Sequence, residues 1–208
     1  MRRHALILLI AALTACGDRT ETLGPVTMGS DTAPPGVAAV GSPMPSYSAP
    51  LLDGSQFDIA SERGNVVFLN LWATWCGPCR YEIPELEKLH NDLADRRFKV
   101  VGVSVDEGSD QVVREFVDEA KMTYPVALDP AGRLATILDT TILPTSIIVD
   151  RRGNVVWKKF GVVSAGDPEM MRVLETALAG RTATGPSPAP SGDRASLARR
   201  GGDPAAAG

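Results

Sequence analysis

Apolar and polar positions change rhythm several times along the middle of the chain, and each change marks an element. Val66-Val-Phe-Leu-Asn-Leu71 is a near-continuous apolar run of strand length, as expected of a strand covered on both faces. From about Gly77 the period becomes that of a helix. Ile83, Leu86, Leu89 and Leu93 share one face, Arg80, Glu85, Glu87 and Lys88 lie largely off it, and Pro84 is expected to bend the helix after its first turn. Lys99-Val-Val-Gly-Val-Ser-Val105 predicts the next strand, so the first two long strands should be parallel members of a βαβ unit. A second helix is predicted from an N-cap at Ser109, with Val112, Val113, Phe116, Val117 and Ala120 inward.

Asp129-Pro130 is expected to cap and start a short third helix through Leu138. Ser146–Val149 and Val155–Phe160 flank Asp150-Arg-Arg-Gly-Asn154, a hairpin pattern with Gly153 at the turn. Asp167-Pro168 opens a last helix that stops near Gly180, and Tyr47–Leu52 with Gln56–Ile59 around Asp53-Gly54 predict a small hairpin in front of everything else. The order is hairpin, βαβ, short helix, ββ, α. It predicts an α/β fold with a mixed central sheet and helices on both faces.

The ends of the chain read differently. Two arginines and a histidine precede nine apolar residues, Ala5–Leu13, and small residues lead to Cys16. A membrane span needs ~20 apolar residues, whereas a basic start, a short apolar core and a small-residue exit make a secretory signal peptide. Leu13-Thr14-Ala15-Cys16 resembles the bacterial lipoprotein box, in which the cysteine is lipidated and becomes the first residue. Two acyl chains are about what stable anchoring takes. The alternatives are a buried helix or an ordinary exported protein without lipid. Residues 17–45, rich in Thr, Gly, Pro, Ala and Ser, read as a flexible tether. Residues 181–208 read as a disordered Pro/Ala/Gly-rich tail in which Arg194, Arg199 and Arg200 give some potential for touching anionic lipid. The expected organisation is thus signal peptide 1–15, lipidation at Cys16, tether 16–45, one domain over 46–180, and tail. The location implied is the bacterial cell envelope, on the periplasmic side of a membrane. A net charge of −4 argues against a nucleic-acid partner.

Against that background the chemistry narrows to Trp72-Ala-Thr-Trp-Cys-Gly-Pro-Cys-Arg-Tyr-Glu82. The chain has three cysteines. With Cys16 lipidated, Cys76 and Cys79 are the only thiols of the mature chain, in a compartment that permits disulfides. Zinc needs about four ligands, and only His90, read as a partly exposed helix residue, joins the two cysteines. Covalent haem attachment needs a histidine after the second cysteine, where Arg80 stands. A structural staple across a two-residue gap closes almost no loop. A redox pair remains, and its position supports it. Cys76 falls at a helix N-terminus, where unpaired N–H groups and the helix dipole favour thiolate. Cys79, one turn in, is the less accessible partner that resolves a mixed disulfide.

The motif Trp-Cys-Gly-Pro-Cys after a buried strand, with Leu143-Pro144-Thr145 before a later one, resembles the thioredoxin superfamily over about residues 46–180. The exported leader, the front hairpin and the added β-α segment near 98–127 look more like its membrane-anchored TlpA/ResA-type branch. The resemblance implies a thiol–disulfide reductase, often one serving cytochrome c maturation. It would act on cysteine-containing client proteins, be recharged by an upstream thiol donor, and need no cofactor or metal beyond its own disulfide. Cys76, Cys79 and Glu82 would be catalytic, and Trp75, Gly77, Pro78, Leu143 and a cis Pro144 would bind substrate. Trp72 is expected in the core and Trp75 at the surface. Thioredoxin has a buried aspartate where this chain has Asn70, which cannot titrate. Glu82, three residues after Cys79, matches an acidic position that the ResA-type branch uses, and is expected to assist deprotonation of the pair; otherwise it is an ordinary exposed helix glutamate. The Gly-Pro between the cysteines resembles reducing thioredoxins. The other readings are an oxidase or isomerase, a peroxiredoxin-like peroxidase (whose usual Thr-x-x-Cys is absent at Thr74-Trp75-Cys76), and a client-binding module without catalysis.

Overall fold

The computed structural model describes residues 36–180. Cys16, the leader and the C-terminal tail lie outside the described residues. The central sheet has five strands in the order β5-β4-β3-β6-β7, where β3 is Val66–Trp72, β4 Phe98–Ser104, β5 Val126–Leu128, β6 Thr145–Val149 and β7 Val155–Phe160. β3 pairs in parallel with β4, and antiparallel with β6. The parallel pair is the predicted βαβ unit, closed by α1 (Gly77–Asp92). A separate hairpin, β1 (Ser48–Pro50) with β2 (Gln56–Asp58), reaches the main sheet through the Leu51–Ala127 bridge and the Leu52 N–H on the Val126 carbonyl, 2.9 Å.

All seven residues of β3 are buried, and their alternation builds two cores. Val66, Phe68 and Trp72 face α1, α2 (Asp110–Ala120) and α4 (Pro168–Leu178), meeting Ile83, Leu86, Phe116, Met170 and Leu174. Val67, Leu69 and Leu71 face the hairpin and the short α3 (Arg133–Ile137), meeting Ala49, Phe57, Leu134 and Leu138. Asn70 is the polar exception. By the two-residue period it points to the α1 side, so a buried amide lies beneath that helix and must find partners there.

The molecule departs from several of the expectations. Val112 is 53% exposed. Successive helical residues turn by ~100°, so Val112 and Val113 cannot both face the sheet, and the stripe of Val113, Phe116, Val117 and Ala120 prevails. Pro130 does not start the third helix. A turn intervenes, with the Gly132 N–H on the Asp129 carbonyl (2.9 Å), and Gly132 at φ +62° precedes the helix. Asp129 still serves it from a distance, its buried carboxylate accepting the Leu134 N–H at 2.7 Å. β5 has three residues and follows Pro125, too short a run to show a period. Residues 38–44, assigned from sequence to the tether, instead pack on the domain. Ala38 and Met44 are buried, and the Ala38, Gly41 and Met44 N–H groups donate to Ile137, Val155 and Gly153. The first helix continues through Pro84 as one element.

Candidate active site

α1 begins where β3 ends, which brings both cysteines to the C-terminal end of the sheet. Cys76 is the N-cap of α1, with extended backbone, and Pro78 stands in the first turn, where a missing N–H costs nothing. Cys76 and Cys79 are joined by a disulfide, with Cα atoms 5.3 Å apart. The Cys79 N–H, which also meets the Cys76 carbonyl at 3.1 Å, points at Cys76 Sγ at 3.2 Å, so an amide of the first helical turn already addresses the sulfur that would carry charge on reduction. Cys76 is 5% and Cys79 1% exposed, while Trp75, Gly77, Pro78 and Arg80 around them are exposed, Trp75 at 70%. Trp72 is fully buried.

The loop before Cys76 is held at one peptide. Thr74 gives its N–H (2.9 Å) and hydroxyl (2.6 Å) to the Asp106 carboxylate, which also accepts the Ser104 hydroxyl at 2.7 Å. The Thr74 carbonyl accepts from the Arg80 guanidinium at 3.1 and 3.2 Å, and that guanidinium lies 4.8 Å over the Phe116 ring. Sequence reading assigned no role to Thr74, Arg80 or Asp106. Asp106 is 32 residues from Thr74, and only the parallel pairing of β3 with β4 brings them together.

Leu143 and Pro144 are joined by a cis peptide bond. Thr145, the next residue, pairs with Leu71 in the sheet, so this turn lies at the same sheet end as the disulfide. The Gly161 N–H fastens it through the Pro144 carbonyl, 2.8 Å. A cleft of about 310 Å³ runs from Trp75 to Leu143, with Leu71 and Val105 on its apolar lining and Glu107 and Thr140 adding polar groups. Among the described residues no group of three His, Cys, Asp or Glu is arranged to hold a metal ion.

Glu82 is not an exposed helix residue. It is 1% exposed, on the buried side of α1 over Asn70. One carboxylate oxygen accepts the Asn70 amide at 2.9 Å and the other the Val163 N–H at 2.9 Å, and the Asn70 amide also reaches the Ser146 hydroxyl at 3.0 Å. Burial pushes the Glu82 carboxyl up to about 7, against the opposing pull of the Val163 and Asn70 hydrogen bonds and the Lys159 charge. A carboxyl that changes charge near neutral pH therefore sits one helical turn below Cys79. Sequence spacing gave its face; the loop carrying Val163, which closes over it, left no periodic signal.

The chain also compares closely with known proteins. The sequence profile of the AhpC/TSA family matches residues 40–158. Thiol-disulfide oxidoreductase ResA of Bacillus thuringiensis subsp. konkukian is 31% identical over 117 residues, 56% of this chain and 67% of that protein. The thioredoxin-like protein YneN of Bacillus subtilis is 37% identical over 114 residues, 54% of this chain and 66% of that protein. A Chlorobium tepidum chain described as a DsbE-type thiol:disulfide interchange protein superposes with a TM-score of 0.63 at 28% identity, covering 68% of this chain and 99% of its own. With a Cys-x-x-Cys disulfide at the N-terminus of α1, this chain belongs to the AhpC/TSA family and is a thioredoxin-like thiol-disulfide oxidoreductase of the ResA/DsbE type.

Proposed function

We propose that the chain is an extracytoplasmic reductase of client-protein disulfides, tethered to a membrane through lipid on Cys16 and serving cytochrome c maturation. The leader sequence and the likeness to ResA support the setting. The observation that carries the chemistry is Cys76 at the N-cap of α1, its sulfur facing the Cys79 N–H, with Glu82 buried beneath.

In the reduced protein the Cys76 thiolate attacks one sulfur of a client disulfide. The client S–S bond breaks, its leaving sulfur takes up a proton, and a Cys76–client mixed disulfide forms. Cys79 then loses its proton, with Glu82 as the nearby acceptor, and attacks Cys76 Sγ. This frees the second client thiol and leaves the Cys76–Cys79 disulfide described above. Two electrons pass to the client, and an upstream thiol donor must return them. No cofactor beyond the pair is required. Trp75, Gly77 and Pro78 form the surface a client meets first, and the Leu143 backbone before Pro144 is left to pair with a client strand.

Cys79→Ser tests the assignment, because it removes the resolving thiol and keeps the attacking one. The variant should accumulate mixed disulfides with cysteine-bearing envelope proteins, absent in Cys76→Ser/Cys79→Ser, and mass spectrometry should place them on Cys76. Trapping on a Cys76→Ser variant instead would reverse the two roles.

A further inference from the structure

The register of the sheet separates two ends of the domain. Cys76 follows the C-terminal end of β3, next to Ser104 of β4 and Thr145 of β6. At the other end Val66 pairs with Phe98, and Val67 with Val149. The segments entering or leaving there carry Arg63, Arg97, Arg151 and Arg152. A seven-residue strand spans about 23 Å, so these arginines lie that far from the disulfide.

They form one cluster. The Gly64 N–H donates to the Arg151 carbonyl at 2.9 Å, and the Arg97 guanidinium stands beside Gly64. Arg63 lies flat against Gly153, so close that a Cβ there would be 1.6 Å from its Nη1. Arg151 donates to the Arg96 carbonyl at 3.4 Å and lies beside Gly180. Arg63, Arg97 and Arg152 are exposed and Arg151 half-buried. None of the four forms an ion pair among the described residues. Neighbouring carboxylates are engaged elsewhere: Glu62 with Lys99 (2.7 Å), Glu175 with Arg96 (2.8 Å), Asp92 with Lys88, and Asp150 with the Arg152 and Asn154 N–H groups. Asp95 is the one exposed carboxylate at this end without such a partner among the described residues. This end thus carries three exposed and one half-buried guanidinium group without an ion pair, and one exposed carboxylate without a partner, among the described residues of a chain whose formal charge is −4.

We propose that this arginine end docks on the headgroups of an anionic phospholipid leaflet and holds the disulfide end away from the bilayer, toward clients. The proposal rests on the anchoring at Cys16 proposed above. Cys16 lies 20 positions before Gly36, and the tether expected from the sequence would, at that length, reach on the order of 25 Å. The domain would therefore stay close enough for guanidinium–phosphate pairing. The chain crosses this end at Met44, whose N–H donates to Gly153, and the last described residue, Gly180, lies beside Arg151.

The test uses the full chain carrying Cys16→Ser, so that no acyl chain contributes, and reads flotation with vesicles. The background protein should bind vesicles with about 30 mol% phosphatidylglycerol about tenfold better than neutral phosphatidylcholine vesicles at ~50 mM salt, and lose the difference at ~500 mM. Arg63→Gln/Arg97→Gln/Arg152→Gln should lose that tenfold preference, while the corresponding triple Lys variant keeps it. Disulfide reduction in solution should be equal in all three, which separates docking from catalysis. Release of the native chain from cell membranes by Cys16→Ser reads anchoring separately. An unchanged anionic preference in the triple Gln variant would overturn the proposal. So would displacement of the background protein by millimolar inorganic phosphate alone at constant ionic strength, which would assign the cluster to a free anion.

Discussion

Glu82 is where a single side chain has the largest consequence. Its carboxyl ionises near 7 in the folded protein, against 4.5 for the ordinary group. Between those values the folded chain holds a proton that the unfolded chain has released, so folding stability falls as pH rises through this window. At 1.36 kcal/mol per pH unit the loss is about 3 kcal/mol, complete above about pH 7. In the oxidised protein the cysteines do not titrate, which isolates the effect. Urea unfolding at pH 5 and pH 8 should show that Glu82→Gln removes most of this decline. Parallel pH profiles for wild type and variant would contradict the assignment. In the reduced protein, Glu82→Gln should lower at least one thiol pKa, because a carboxylate near a forming thiolate repels it. It should also slow resolution by no more than about 10²-fold. The residue's place on the helix could be derived from its three-residue spacing to Cys79. Its burial could not, because that depends on Val163, which is 81 residues away along the chain.

At the scale of elements, the strand–helix junction depends on close packing under Trp72. Gly102 of β4 lies against it: a Cβ there would be 2.9 Å from Trp72 Nε1 and 3.1 Å from Tyr124 Cε2. Gly102→Ala should therefore destabilise the fold by about 1–3 kcal/mol, read as a lower unfolding midpoint. An unchanged midpoint would mean that the indole has room to shift. The long strands and α1 could be found from periodicity, since each has enough residues to show one. α3 and β5 have five and three residues and could not be placed well. The clamp of Asp106 and Arg80 on Thr74 belongs to neither a strand nor a helix pattern. It joins the first turn of α1 to two loops that the sheet brings together, so no local signal announces it.

For the molecule as a whole, the pairing of a Cys-Gly-Pro-Cys disulfide with a buried ionisable glutamate defines a redox protein whose direction of electron flow depends on small energies. About 30 mV separates equilibria that differ by 1.4 kcal/mol. The motif and the order of the elements sufficed to derive the fold and the pair from sequence. The arginine end became visible only when the register placed residues 63, 97, 151 and 152 side by side. Reduction of clients by this pair requires a low potential, which equilibrating Cys76 and Cys79 against a defined thiol–disulfide buffer at pH 7 measures. A reductase should equilibrate at roughly −220 to −300 mV, in the reducing range. A value near −120 mV, where strong oxidants lie, would contradict this role.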